Sequence, residues 1–141
     1  MIRFQLVSLA GTTYDDEVYE LLMPTLGGTI GIFEDHMPIV SAAGSGLISV
    51  RKNQSDADEQ MEHFATMGGL LEVDGKTVRF LADDVASGEA VSVDEAAAAI
   101  ERAEQLIKSA PDQTSLAKAQ SQLAYGRARL QVARLKKRRH G

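Results

Sequence analysis

Cysteine and tryptophan are absent from the 141 residues, and proline and histidine occur three times each. Without thiols there is no disulfide framework, no thiolate zinc site and no cysteine nucleophile. Three histidines leave little material for any other metal centre, and none is expected. Long apolar runs are missing too: nowhere do about 18 apolar residues follow one another, so no membrane-spanning helix is expected. Arg3 and Gln5 interrupt the first apolar residues, which is unlike a secretory leader. The expectation is a protein that stays on the cytosolic side of a membrane.

What is present is divided unevenly. Residues 1–92 carry 5 basic and 15 acidic side chains, whereas residues 93–141 carry 10 basic and 5 acidic ones. From Arg127 onward seven basic residues follow with no acidic one. The formal charge of -5 therefore describes neither half.

Periodicity changes at the same place. Before Ser92 the apolar residues alternate or form short runs: Ile2, Phe4 and Leu6, then 18–23, 29–33, 47–50, 63–67, 70–73 and 78–81. Each is of strand length. Gly27-Gly28, Gly44-Ser45-Gly46, Gly68-Gly69 and Asp74-Gly75 separate them and read as turns. After Ser92, Ala96, Ile100, Ala103, Ile107 and Ala110 recur at spacings of four and three, with Asp94 as an N-cap or first-turn carboxylate. Pro111 ends that helix, Asp112 or Thr114 is placed to cap a second, and Leu116, Ala119, Leu123, Gly126, Leu130 and Ala133 form its stripe. The pattern predicts an α+β chain: an N-terminal antiparallel β-sandwich or flattened barrel over 1–92, followed by an antiparallel two-helix hairpin over 93–141. The seam is half alanine, so the hairpin buries little and is suited to detaching from the sandwich.

The candidate chemistry is sparse. His36 follows Asp35, but no nucleophile, base and orienting group come with it, and neighbours on an extended chain face opposite ways. A ring-bonded structural or interface histidine is the better reading. Gly27-Gly28-Thr29-Ile30-Gly31 lacks the lysine of a phosphate loop and the spacing of a dinucleotide fingerprint, and reads as a turn that brings backbone close to a partner. The basic terminal helix suits an acidic protein surface. Nucleic acid is the less favoured alternative, because the other half is acidic and no aromatic platform accompanies the basic run.

In order, residues 27–40 (GGTIGIFEDHMPIV), 46–51 (GLISVR), 68–73 (GGLLEV) and 78–83 (VRFLAD), followed by the helical hairpin, resemble the epsilon subunit of the F-type ATP synthase across nearly the whole chain. The resemblance implies a non-enzymatic central-stalk subunit with no cofactor. Its sandwich would clamp to the gamma subunit and rest on the c-ring through Gly28, Thr29, Ile30 and Gly31, with His36 nearby. Its hairpin would regulate ATP hydrolysis, with Arg127, Arg129, Arg134, Lys136, Lys137, Arg138 and Arg139 meeting acidic segments of the beta subunits. It also implies a peripheral position on the cytoplasmic face of a bacterial plasma membrane, without direct insertion. Family members that bind ATP carry an arginine where this chain has Ala97, and another where it has Tyr125. Asp94 and Ala98 match the first-helix motif and Arg129 fits one second-helix arginine, with Asp94 and Arg129 at most a vestige of such a site. Two missing charge-assisted contacts, each worth roughly 1.5–3 kcal/mol, predict weak or absent ATP binding.

Overall fold

The computed structural model describes residues 1–87 and 91–140, the side chains of 137–140 excepted. Eight strands precede two helices: β1 (Ile2–Ser8), β2 (Gly11–Val18), β3 (Glu20–Thr25), β4 (Gly28–Ile32), β5 (Ile39–Ala43), β6 (Gly46–Arg51), β7 (Glu62–Val73), β8 (Thr77–Ser87), α1 (Val93–Ser109) and α2 (Gln113–His140). A single turn of 3-10 helix, Asp58–Gln60, lies between β6 and β7. Two of the strands, Val18 apart, fall outside the apolar runs picked out in the sequence. β2 is a polar edge strand, GTTYDDEV, exposed along most of its length and held by its antiparallel ladder to β1. β5 is short, with Val40 facing solvent.

β7 explains how one hydrogen-bonded sheet becomes a sandwich. Its first half, 62–66, pairs with β6, and its second half, 69–73, pairs with β5. β8 follows it along both halves, with register shifts at Gly68 and Gly69. The Gly68-Gly69 pair is therefore a bulge inside one bent strand, not the turn between two that the sequence suggests. One layer consists of β2, β1, the first part of β8, the second half of β7, and β5. The other consists of the last part of β8, the first half of β7, β6, β3 and β4. All pairings are antiparallel except β1 with β8, where Phe4 sits beside Val78 and Leu6 beside Phe80.

Alternation fills the space between the layers. Ile2, Phe4, Leu6, Leu21, Met23, Ile32, Ile48, Leu71, Val78 and Phe80 are all fully buried. Each such side chain contributes about 1.5–3 kcal/mol relative to exposure. Phe4, Tyr14 and Phe64 stack through tilted and edge-on contacts within this core. Glu20 and Asp58 both pair with the largely buried Arg51, at 2.8 and 2.6 Å, tying β3 and the 3-10 turn to β6.

The hairpin forms as its caps and spacing predict. Ser92 Oγ accepts the Glu95 amide at 3.3 Å and starts α1, leaving Asp94 in the first turn. Asp112 Oδ1 accepts the Ser115 amide at 2.7 Å and starts α2. The backbone bonds to Asp112 hold its carboxyl below the usual range. Ala96 and Ala103 of α1 are buried in the seam, as is Ala119 of α2. A Cβ on Gly126 would stand 3.0 Å from Ile100 Cγ1, so glycine permits the close approach there.

α2 has a second apolar face absent from the predicted stripe. Tyr125, Ala128 and Val132 pack on Ala65, with Leu47 and Met67 alongside, on the outer surface of the β6–β7 layer. This cluster and the sandwich core share no residue.

Candidate functional site

Three surfaces bear on function: the β4 edge, the outer face of the β5–β1 layer, and the docked hairpin. Strand β3 turns back on itself at Leu26-Gly27, and β4 runs along the edge of its layer. Gly28 adopts φ +121°, open to solvent on the side where a Cβ would project. That conformation belongs to glycine, and it puts main chain at the tip. Thr25 Oγ1 donates to Gly28 O and closes the turn at 2.6 Å. Gly28, Thr29 and Gly31 are exposed, whereas Ile30 packs against the core and anchors the strand. Leu26 beside them is 76% exposed.

His36 flanks the other end of the same strand. The loop 33–38 folds next to the β7–β8 turn, with the Asp35 amide donating to Gly75 O at 3.2 Å. Asp35 itself has φ 64°. His36 is half-buried, and its Nδ1 lies 2.8 Å from Met37 O. β4 rises about 13 Å from Gly28 to Ile32, and His36 lies in the loop beyond its end. Gly28 and His36 share an edge, not a pocket. The hydrogen-bond partner of the His36 ring is a backbone carbonyl, which fits a structural histidine.

On the outer face of the other layer, the ladders align Ala42, Leu70, Leu81 and Val7 in one row across four strands. The next row is Val40, Glu72, Arg79 and Gln5, with Arg79 Nε 3.4 Å from Gln5 Oε1. Val40 is 73% exposed and Leu81 39%. An apolar row beside a polar one resembles the core and rim of a protein interface. Among the described residues no helix packs on it, and α2 lies on the opposite layer. Sequence reasoning missed this surface because a row across four strands leaves no local pattern.

The docked hairpin engages some of its basic residues and leaves others free to meet solvent. Arg127 and Arg134 are exposed. Arg129 is largely covered: its Nη2 lies 3.7 Å from Glu95 Oε1, and its guanidinium sits 5.5 Å from the centre of the Tyr125 ring. Lys136 is half-buried and engaged. The side chains of Lys137, Arg138 and Arg139 lie outside the described residues. Asp94 is exposed on the first turn of α1. At the other end of α2, Ser45 Oγ lies 2.9 Å from Met67 O, 3.0 Å from Ser121 O and 3.0 Å from Ser121 Oγ.

Burial pushes the Tyr125 hydroxyl up to about 12, helped by the Asp84 carboxylate and opposed by Arg129. Tyr14 is pushed up to about 12 by burial and by Glu62. Both phenols are held neutral in the fold and ionise near 10 once released. Their contribution is complete below pH 10 and is lost as pH rises through about 12, because the unfolded chain gives up its protons first. Stability is therefore expected to fall across that window, and less steeply in Tyr125→Phe. Denaturant melts at successive pH values, read beside phenolate absorbance, check this.

Comparison with known proteins now bears on these surfaces. Residues 1–88 match the family described as ATP synthase, Delta/Epsilon chain, beta-sandwich domain. The ATP synthase epsilon chain of Gloeobacter violaceus is 31% identical over 132 residues, covering 94% of this chain and 96% of that one. That of Nitrosomonas eutropha is 29% identical over 141 residues, covering 99% and 98%. Among solved structures, a chain of the Euglena gracilis mitochondrial ATP synthase (OSCP/F1/c-ring, rotational state 1) superposes with a TM-score of 0.75 at 18% identity, over 94% of this chain and 80% of that one. A chain of the Tetrahymena thermophila ATP synthase central stalk and c-ring gives 0.60 at 14%, over 94% and 96%. These two share the fold. A likeness that runs through the helices as well as the sandwich places this chain in the ATP synthase delta/epsilon family, among its epsilon chains.

Proposed function

We propose that this epsilon chain is a non-catalytic rotor subunit whose sandwich joins the gamma subunit to the c-ring and whose hairpin brakes ATP hydrolysis. The observation that carries the reading is the division of labour between the two layers. One outer face is covered by α2 through a small apolar cluster. The other leaves the row Ala42, Leu70, Leu81 and Val7 uncovered, and we assign gamma to it. The backbone-rich tip at Gly28 to Gly31 is assigned to the polar loops of the c-ring, with His36 fixing the loop at the far end of the same edge.

Two features support the hairpin as a mobile element. Its contact with the sheet rests on Tyr125, Ala128 and Val132, far less apolar surface than the sandwich core holds. Its basic residues would meet acidic beta-subunit segments only when it extends: Arg127 and Arg134 are already exposed, Arg129 and Lys136 would be released, and Lys137, Arg138 and Arg139 continue the series. Charge complementarity of that kind sets register and resists displacement. Among the described residues no helix is long and apolar enough to cross a membrane. Attachment at the cytoplasmic face would come through the c-ring.

The test is ATP hydrolysis by the assembled synthase with the full chain and with a chain ending at Ser92. A several-fold rise on truncation, with the complex intact, is the expected result. Unchanged hydrolysis in an intact complex would leave the sandwich as coupler and remove the hairpin as brake.

A further inference from the structure

We propose that the docked hairpin is held by a polar latch made of this chain's own side chains, Ser45 with Ser121, beside the seat of the Tyr125 ring on the sheet, and that this latch sets the docked fraction without nucleotide. The proposal deepens the reading of the hairpin as a mobile brake and rests on that reading only for its consequence in the assembled synthase.

The latch follows from where the apolar contacts run out. Among the described residues, the buried apolar cluster between α2 and the sheet consists of Tyr125, Ala128 and Val132 on Ala65, with Leu47 and Met67 alongside, and α1 packs chiefly on α2. Such a small patch leaves the docked and undocked states close in free energy, so a few hydrogen bonds decide between them. Ser45 projects from the Gly44–Gly46 turn into this boundary. Its hydroxyl donates to a carbonyl, Met67 O or Ser121 O, and accepts from Ser121 Oγ. Both hydroxyls are partly shielded from water, so their bonds are stronger than on an open surface.

One helical turn further along, the Tyr125 ring is buried on the sheet against Ala65. Arg129 covers the same ring from α2 and reaches Glu95 on α1. One chain of contacts thus joins sandwich, second helix and first helix. Glu95 is largely exposed and its pair with Arg129 is long, so that link orients the guanidinium more than it strengthens docking. The consequence for nucleotide is direct. Arg129, which the resemblance matches to an arginine of ATP-binding relatives, is turned onto Tyr125 and Glu95, and Ala97 carries no charge where those relatives have another arginine.

The experiment uses the full chain, which has no native cysteine, with spin labels on cysteines introduced at the exposed positions Asn53 and Gln105. Pulsed dipolar spectroscopy then reads the distance between sandwich and α1. A narrow distribution is expected for the parent chain. Ser45→Ala and Ser121→Ala should each raise the undocked-to-docked ratio about fivefold, and the double variant little more, because the two hydroxyls share one bond. Millimolar MgATP should leave every distribution unchanged. A double variant as narrow as the parent would overturn the latch, as would a parent chain already broad, and narrowing on MgATP would overturn nucleotide independence. Circular dichroism confirms that the sandwich remains folded in each variant. If undocking occurs as expected but hydrolysis by the assembled synthase does not respond, the brake fails and the latch stands.

Discussion

Gly69→Ala is expected to prevent the sandwich from forming. At this bulge the main chain has φ +153°, and a Cβ would stand 2.1 Å from Leu81 O and 3.0 Å from Ala82 Cα. The obstruction is backbone of the paired strand, so no rotamer relieves it; β7 and β8 would have to part where the sheet passes from one layer to the other. Gly68 faces the same constraint, its Cβ direction ending 2.9 Å from Ala43 O. A loss of more than about 4 kcal/mol is anticipated, a large part of the 5–15 kcal/mol that holds a domain of this size. Gly75→Ala is the control. Its φ of +99° is also strained for alanine, but the nearest atom is His36 O at 3.9 Å, so only about 1 kcal/mol should be lost. Denaturant melts of the two variants separate a packing obstruction from simple turn strain. Equal, small losses would mean that the bent strand tolerates a shift the geometry forbids.

The same pair of glycines shows where sequence and structure part. A Gly-Gly flanked by apolar runs reads locally as a turn, yet here it lets one strand serve both layers. Nothing within the run distinguishes the two, because the difference lies in β5 and β6 pairing with successive halves of β7. β2 was illegible for a related reason: GTTYDDEV owes its strand to the ladder with β1, not to its own pattern. The hairpin was legible at its caps and along the seam from Ala96 to Ala110, since those depend on neighbours within a turn or two. The second face of α2 was not. Tyr125, Ala128 and Val132 interleave with the seam residues, so the helix is apolar on two sides and a single stripe describes only half of its packing.

The candidate site divides in the same way. The exposure of Gly28, Thr29 and Gly31 and the ring bond of His36 follow from local turn chemistry and were readable. The row from Ala42 to Val7 and the cover over Arg129 depend on register and on helix docking, which a linear pattern does not contain.

Val132→Asp is expected to release the hairpin while leaving the sandwich intact. Val132 is 1% exposed and sits in the small cluster with Ala65, Tyr125 and Ala128. Docking with a carboxylate there would bury a charge in the apolar cluster of Ala65, Tyr125 and Ala128, at a cost of several kcal/mol. Undocking forfeits only that cluster and its few hydrogen bonds, so the chain avoids the penalty by letting α2 go. The core between the layers contributes no residue to the cluster and should melt within about 1 kcal/mol of the parent. Trypsin cleavage within the hairpin should accelerate about a hundredfold, the factor expected when an opening equilibrium shifts by roughly 3 kcal/mol. Val132→Ala, which shrinks the contact without charging it, should give a rise of only about tenfold. A sandwich that melts early in Val132→Asp would mean that α2 belongs to the fold of the domain it rests on. A sandwich that melts normally beneath an accelerated hairpin makes docking a separate equilibrium, which is the condition any brake worked by this hairpin must meet.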